Sequence, residues 1–133
     1  MRHSSIALLV AAGLVATAAT RPPATHAAHA QPAAAKGDPV RGARLYQACM
    51  GCHSLDENDV GPLHRGVVGR SAGAVPGYAY SSALRKSGIV WTPANLDRWL
   101  SGPQAMVPGS KMFFSIPAAK DRADIVAFLA KNK

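Results

Sequence analysis

The chain has 133 residues, 15 of them basic and seven acidic, for a formal charge of +8. That length allows one domain with little room for a second, and its two cysteines, only three positions apart, could close no more than a tiny disulfide loop. No Lys/Arg run exceeds two residues, and Tyr and Trp are not interleaved with basic side chains, which argues against nucleic acid as a partner.

The first 30 residues differ from the rest. A short basic start, Met1-Arg2-His3, leads into an apolar run from Ile6 to Ala19. A stretch rich in Pro, Ala and His follows from Arg21 to Ala35. This order is that of a secretory signal peptide. Residues 1–30 are therefore expected to be a signal, cut somewhere between 19 and 30, and residues 31–36 a flexible start to the mature chain. Arg21-Pro22-Pro23 closes the apolar run well short of the ~20 residues of a spanning helix, so a retained anchor is the weaker alternative. The expected location is the periplasm. The leader holds two basic residues, Arg2 and Arg21, and no acid, which leaves a mature charge of +6. An acidic docking surface on a partner protein would suit such a charge.

The folded domain is expected over 37–133. Asp38-Pro39 reads as an N-cap followed by proline at the first helical position. Val40, Ala43 and Tyr46 then recur at helical spacing up to Cys49. Ser54 to Tyr80 is rich in glycine and nearly aperiodic, so it reads as loop. A loop of that length fits a compact domain if it packs over a large ligand. A short helix is expected from Ser81 to Ser87, stopped by Gly88. Another opens at Thr92-Pro93, with Leu96, Trp99 and Leu100 on one face, and ends at Gly102-Pro103. The last runs from about Ala118 to Lys131, its apolar face being Ile125, Phe128 and Leu129. No strand is expected, and the fold class is all-α with long irregular connections.

The segment Cys49-Met50-Gly51-Cys52-His53 carries the chemistry. A bare C-x-x-C could be a redox dithiol or half of a zinc site. Zinc would need further ligands, and no other cysteine exists. A thioredoxin-like dithiol belongs to a βαβ pattern that is missing here. C-x-x-C-H answers a more specific demand: two thiols add across the vinyl groups of one haem, and the adjacent imidazole then lies under the iron. The expected cofactor is one haem c, attached through Cys49 and Cys52, with His53 as a metal ligand. On spacing, the sixth ligand could be Met50, Met106, Met112, His64 or none. Met112, after the turn-rich Val107-Pro108-Gly109-Ser110-Lys111, is the best placed. Its competing role is to fill a gap in the core. A His/Met pair would leave no vacant position and raise the reduction potential, which suits electron transfer and not enzymatic catalysis.

The motifs together resemble class I cytochrome c, in its mitochondrial-like and bacterial cytochrome c2 branch. The resemblance covers Gly37 to Lys131. Besides C-x-x-C-H it includes Gly61-Pro62, Gly66-Val67-Val68-Gly69-Arg70, Pro76-Gly77-Tyr78-Ala79-Tyr80-Ser81, Gly88-Ile89-Val90-Trp91 and Pro108-Gly109-Ser110-Lys111-Met112-Phe113-Phe114. It implies the class I cytochrome c fold, three to five helices around one haem, with Met112 as the second metal ligand. It also implies that the Pro62 carbonyl accepts the Nδ1 proton of His53, and that Arg70, Tyr80 and Trp91 bond the haem propionates. Gly42 matches the small residue where the first helix crosses the last, beside Phe128 and Tyr46.

Some residues depart from the family pattern. Trp99 stands where a tyrosine commonly bonds near the methionine sulfur, and Leu84 where an asparagine is common. Gln104, Ala105 and Ala48 occupy positions that are lysines of the docking ring in the mitochondrial proteins. The implied role is a monomeric carrier of single electrons in a respiratory chain, between a bc1-type complex and a cytochrome oxidase or reaction centre. The membrane would be reached only through these partners. The alternative role is electron acceptor or subunit of one periplasmic dehydrogenase. A haem enzyme or ligand sensor with Met112 displaced is a third.

Overall fold

The computed structural model describes residues 36–133, so the expected signal peptide and most of the flexible segment after it lie outside the described residues. Five α-helices are present there: α1 (Pro39–Leu45), α2 (Ser82–Arg85), α3 (Pro93–Ser101), α4 (Pro103–Met106) and α5 (Ala119–Lys131). A 3-10 turn, Tyr46–Cys49, continues α1. The only strand-like pairing among the described residues is an isolated bridge between Ser71 and Val90.

The helix starts follow local chemistry. Asp38 accepts from the Val40 and Arg41 N–H groups ahead of Pro39, Ser81 from the Leu84 N–H and Thr92 from the Asn95 N–H. Each side chain satisfies a donor that the first helical turn leaves free. Gly88 takes φ +65 just after α2, a left-handed stop that suits glycine. One expectation needs extension: Gly102-Pro103 ends α3 as read, but Pro103 also opens α4, which had no periodicity to announce it.

The first and last helices cross in close contact. A Cβ on Gly42 would lie 2.0 Å from the Asp124 carbonyl oxygen and 2.9 Å from Phe128 Cβ, so only glycine allows this approach. Tyr46 and Phe128 pack with ring centroids 5.0 Å apart. Beside them, Asp124 is fully buried. Its carboxylate accepts from the Asp38 N–H at 2.7 Å, from Arg41 and from Lys120, and Arg41 also binds Asp121. These donors hold the Asp124 carboxyl well below the usual range, the Lys120 bond foremost. A charge taken out of water requires such full pairing. The core behind the crossing is built from Tyr46, Leu96, Trp99, Leu100, Ile125 and Leu129, with Val67, Leu84 and Trp91 from the loops and α2.

Candidate haem site

The core encloses a site large enough for a ligand. A cavity of about 410 Å³ opens among its apolar side chains, lined by the 3-10 turn, the glycine-rich loop, α3, the segment from Lys111 to Phe114, and α5. All nine sequence-predicted site residues line it: Cys49, Cys52, His53, Pro62, Arg70, Tyr80, Trp91, Trp99 and Met112.

The cysteines enter from the turn that follows α1. The Cys49 carbonyl accepts both the Cys52 and His53 N–H groups, at 3.1 and 2.9 Å, a tight loop that brings Cys49, Cys52 and His53 to one wall. Both thiols are free. Burial pushes the Cys49 thiol up to about 11, opposite to the lowered value of a reactive dithiol. Among the described residues no cluster of three His, Cys, Asp or Glu could hold a metal ion. The zinc and redox-dithiol alternatives therefore find no support in the geometry.

His53 is held on three sides. Its Nδ1 lies 2.8 Å from the Pro62 carbonyl oxygen; a carbonyl only accepts, so Nδ1 carries the proton and Nε2 is left as a free donor atom for a metal. Gly61 lies under the ring, where a Cβ would meet His53 Cε1 at 2.2 Å. His64 stacks on the other side, with centroids 4.0 Å apart and planes 20° from parallel. Burial lowers the His53 value, partly offset by the Pro62 bond, which keeps the ring neutral as ligation requires. His64 is thus a packing residue of the His53 wall. Its Nδ1 is 3.0 Å from the Tyr46 hydroxyl, and burial holds its own value down at about 3.

Met112 comes from a different segment. Its Sδ lies 3.1 Å from Trp99 Nε1, so the indole N–H donates to the thioether. The residue that departs from the common tyrosine therefore still provides a donor to sulfur. Trp91 packs against Trp99 at 5.2 Å. Leu84, the other departure, is buried. Arg70 donates to the Leu63 and Arg65 carbonyls at 2.8 and 3.2 Å, which fixes a half-buried cation at the cavity wall near Tyr80. The mouth is apolar: Val60, Phe113 and Phe114 line the cavity and are 68%, 78% and 51% exposed.

This donor set fits haem c: two unpaired thiols, a neutral imidazole with a free nitrogen, a thioether, an apolar cleft, and a cation beside two donor aromatics for carboxylates. Gln104, and His64 stacked on His53 and tilted against Tyr46, complete the surroundings. Residue type and spacing offered His64 only as one sixth-ligand candidate and gave Gln104 and Tyr46 no part in holding the ligands, because these contacts are made when loops fold back.

Comparison with known proteins agrees with the geometry. A sequence profile described as Cytochrome c matches residues 39–133. The chain is 48% identical over 101 residues to a cytochrome c2 of Rhodopila globiformis, covering 73% of this chain and 95% of that protein. It is 45% identical over 100 residues to a cytochrome c2 of Rhodomicrobium vannielii, covering 72% and 80%. Among solved structures, cytochrome cH from Methylobacterium extorquens is similar with a TM-score of 0.70 and 44% identity, over 71% of this chain and 99% of that one.

Proposed function

The chain belongs to the class I cytochrome c family, in its cytochrome c2 branch, and from that premise we propose that it is an exported carrier of single electrons between a bc1-type complex and a terminal oxidase or reaction centre. As a c2-type protein it carries haem c and transfers electrons; which proteins it serves, and where, are the proposal's own content.

When bound, haem c supplies a one-electron Fe(III)/Fe(II) couple. The rest is the work of this chain. Cys49 and Cys52 would hold the group through thioethers, and His53, oriented by Pro62 and Gly61, would offer Nε2 from one wall. Met112, held by Trp99, would offer Sδ as the second metal ligand. Arg70, Tyr80 and Trp91 would receive the propionates. The surrounding apolar side chains exclude water, and the mouth, where Val60, Phe113 and Phe114 are exposed, is open to a partner.

The observation that carries the reading is the pair of separately restrained ligand atoms, His53 Nε2 and Met112 Sδ, facing one apolar cavity. A closed pair suits electron transfer and leaves no position for a substrate. The test is optical: the purified holoprotein should show the sulfur–iron charge-transfer band at neutral pH when oxidised, and should not bind carbon monoxide when reduced. Carbon monoxide binding at neutral pH would favour the sensor or enzyme reading instead.

The exported location rests on the leader pattern, and no helix among the described residues is long and apolar enough to cross a membrane. Docking is proposed to rely on the apolar rim. Lys111 is exposed there, but its ammonium is tied to the Ala79 carbonyl, and Ala48 and Ala105 add no charge.

A further inference from the structure

We propose that Gln104 is a positioning residue that clamps the segment bearing Met112, and so sets how readily the thioether yields its place to another ligand. The inference rests on the reading of Met112 as the second metal ligand.

Gln104 lies in α4, half-buried against the loop that returns from Pro108 to Met112. Its Nε2 is 2.8 Å from the Ser110 carbonyl oxygen, 2.8 Å from the Met112 carbonyl oxygen and 2.9 Å from Ser110 Oγ. Its Oε1 accepts from the Gly109 N–H at 3.3 Å. One side-chain amide thus meets three residues of the five-residue turn and uses both its donor and its acceptor ends.

Apart from Trp99 on the Met112 sulfur and Lys111 on the Ala79 carbonyl, the loop's backbone has little else to hold it. Its ends are pinned by the Val107 N–H on the Pro103 carbonyl at 2.8 Å and the Ile116 N–H on the Leu100 carbonyl at 2.7 Å, but from Pro108 to Ser115 backbone pairing is confined to the Ser110 N–H on the Val107 carbonyl at 3.1 Å. Gly109 takes φ +82, and the buried Ser110 has its carbonyl satisfied by Gln104. Without that amide, the Ser110 and Met112 carbonyls would have no protein donor, a cost a loop relieves by swinging out to water. Trp99 and Gln104 therefore divide the task. Trp99 acts on the sulfur atom, and Gln104 acts on the backbone that delivers it.

The same contacts exclude another role. In the mitochondrial relatives this position belongs to the lysine ring of the docking face. Here its polar atoms are turned inward and engaged, which leaves them unavailable to a partner protein.

A thermodynamic cycle with imidazole tests the clamp. Imidazole can bind the oxidised iron only where Met112 has let go, so its affinity reports the cost of opening the loop. Gln104→Met keeps length and volume but removes the donors; Gln104→Glu keeps shape and places a carboxylate against two carbonyl oxygens. At roughly fivefold per net hydrogen bond, imidazole affinity is expected to rise about tenfold or more in both variants. In saturating imidazole, where the clamp is already open, wild type and Gln104→Met should unfold at the same denaturant concentration.

Equal imidazole affinity with lowered stability in both states would overturn the clamp and leave Met112 ligation intact. That is the signature of a merely structural glutamine. Absence of the sulfur–iron band in the oxidised wild type would overturn the ligation reading and the clamp with it. The two failures are therefore distinguishable.

Discussion

Replacing Trp99 by Phe should lower the reduction potential. The indole N–H points its positive end at Met112 Sδ from 3.1 Å. That dipole opposes the extra positive charge of the oxidised iron and withdraws density from the lone pairs that would support it. Removing it favours the oxidised state. A typical net hydrogen bond is worth about 0.5–1.5 kcal/mol, and only the part that differs between oxidation states enters the potential. Since 59 mV corresponds to a factor of ten for one electron, a difference of about 1 kcal/mol is about 40 mV, and the full 1.5 kcal/mol, about 65 mV, is a ceiling. The expected shift is a fall of about 20–40 mV, read by potentiometric titration of the holoprotein. Phe keeps most of the contact with Trp91, so the sulfur–iron band should persist, while the smaller ring leaves a void costing about 1–3 kcal/mol of stability. A potential that rises, or that stays within about 10 mV of wild type, would refute the assignment of Trp99 as an electrostatic partner of the sulfur.

Further outcomes follow from other contacts. Gly42→Ala forces a Cβ to within 2.0 Å of the Asp124 carbonyl oxygen, so α1 and α5 must separate; denaturant unfolding should show a loss of about 3 kcal/mol, and a loss below about 1 kcal/mol would mean the crossing is loose. Gly61→Ala puts a Cβ 2.2 Å from His53 Cε1 and should displace the imidazole, giving a low yield of holoprotein by pyridine haemochrome assay. The Asp124 carboxyl is depressed below its ordinary 3.8 by Lys120, Asp38 and Arg41. Its stabilisation is therefore present above that value and lost as pH falls through the lower folded-state value; Asp124→Asn should be less stable than wild type at pH 7 and show a flatter acid limb in thermal melts. With an apolar rim and a tethered Lys111, association with the native redox partner should decline only weakly with ionic strength, whereas Phe113→Ser should slow it; a steep salt dependence would contradict docking by apolar contact.

Much of the fold could be read locally. Asp38-Pro39, Ser81 and Thr92-Pro93 announce helix starts because each cap acts within three residues of itself. Cys49, Cys52 and His53 are legible for a similar reason: the chemistry lies within one turn, closed by the Cys49 carbonyl. Asp124 was not legible as a buried charge. It falls three residues after Asp121 and one before Ile125, on the inward face of α5, and a carboxylate there requires partners. Its partners, however, come from the other end of the chain, and no spacing within α5 could name them.

The functional loop shows the limit most clearly. Met112 was reachable from its turn-rich approach and from family resemblance, but what holds it was not. Trp99 is 13 residues away and Gln104 eight, each on its own short helix. Residue type and resemblance marked both only as departures, Trp99 at a position commonly tyrosine and Gln104 at a position that is a docking-face lysine in the mitochondrial proteins, and gave neither a partner. Folding supplies one to each. The indole finds the sulfur, and the amide turns inward because the returning loop presents carbonyls with no other protein donor. A ligand's residue type can thus be local information, while its strength as a ligand is set by the tertiary contacts that restrain it. For this chain, the grip on Met112 depends on Trp99 and Gln104 together, and the imidazole cycle and the potential of Trp99→Phe measure the two contributions separately.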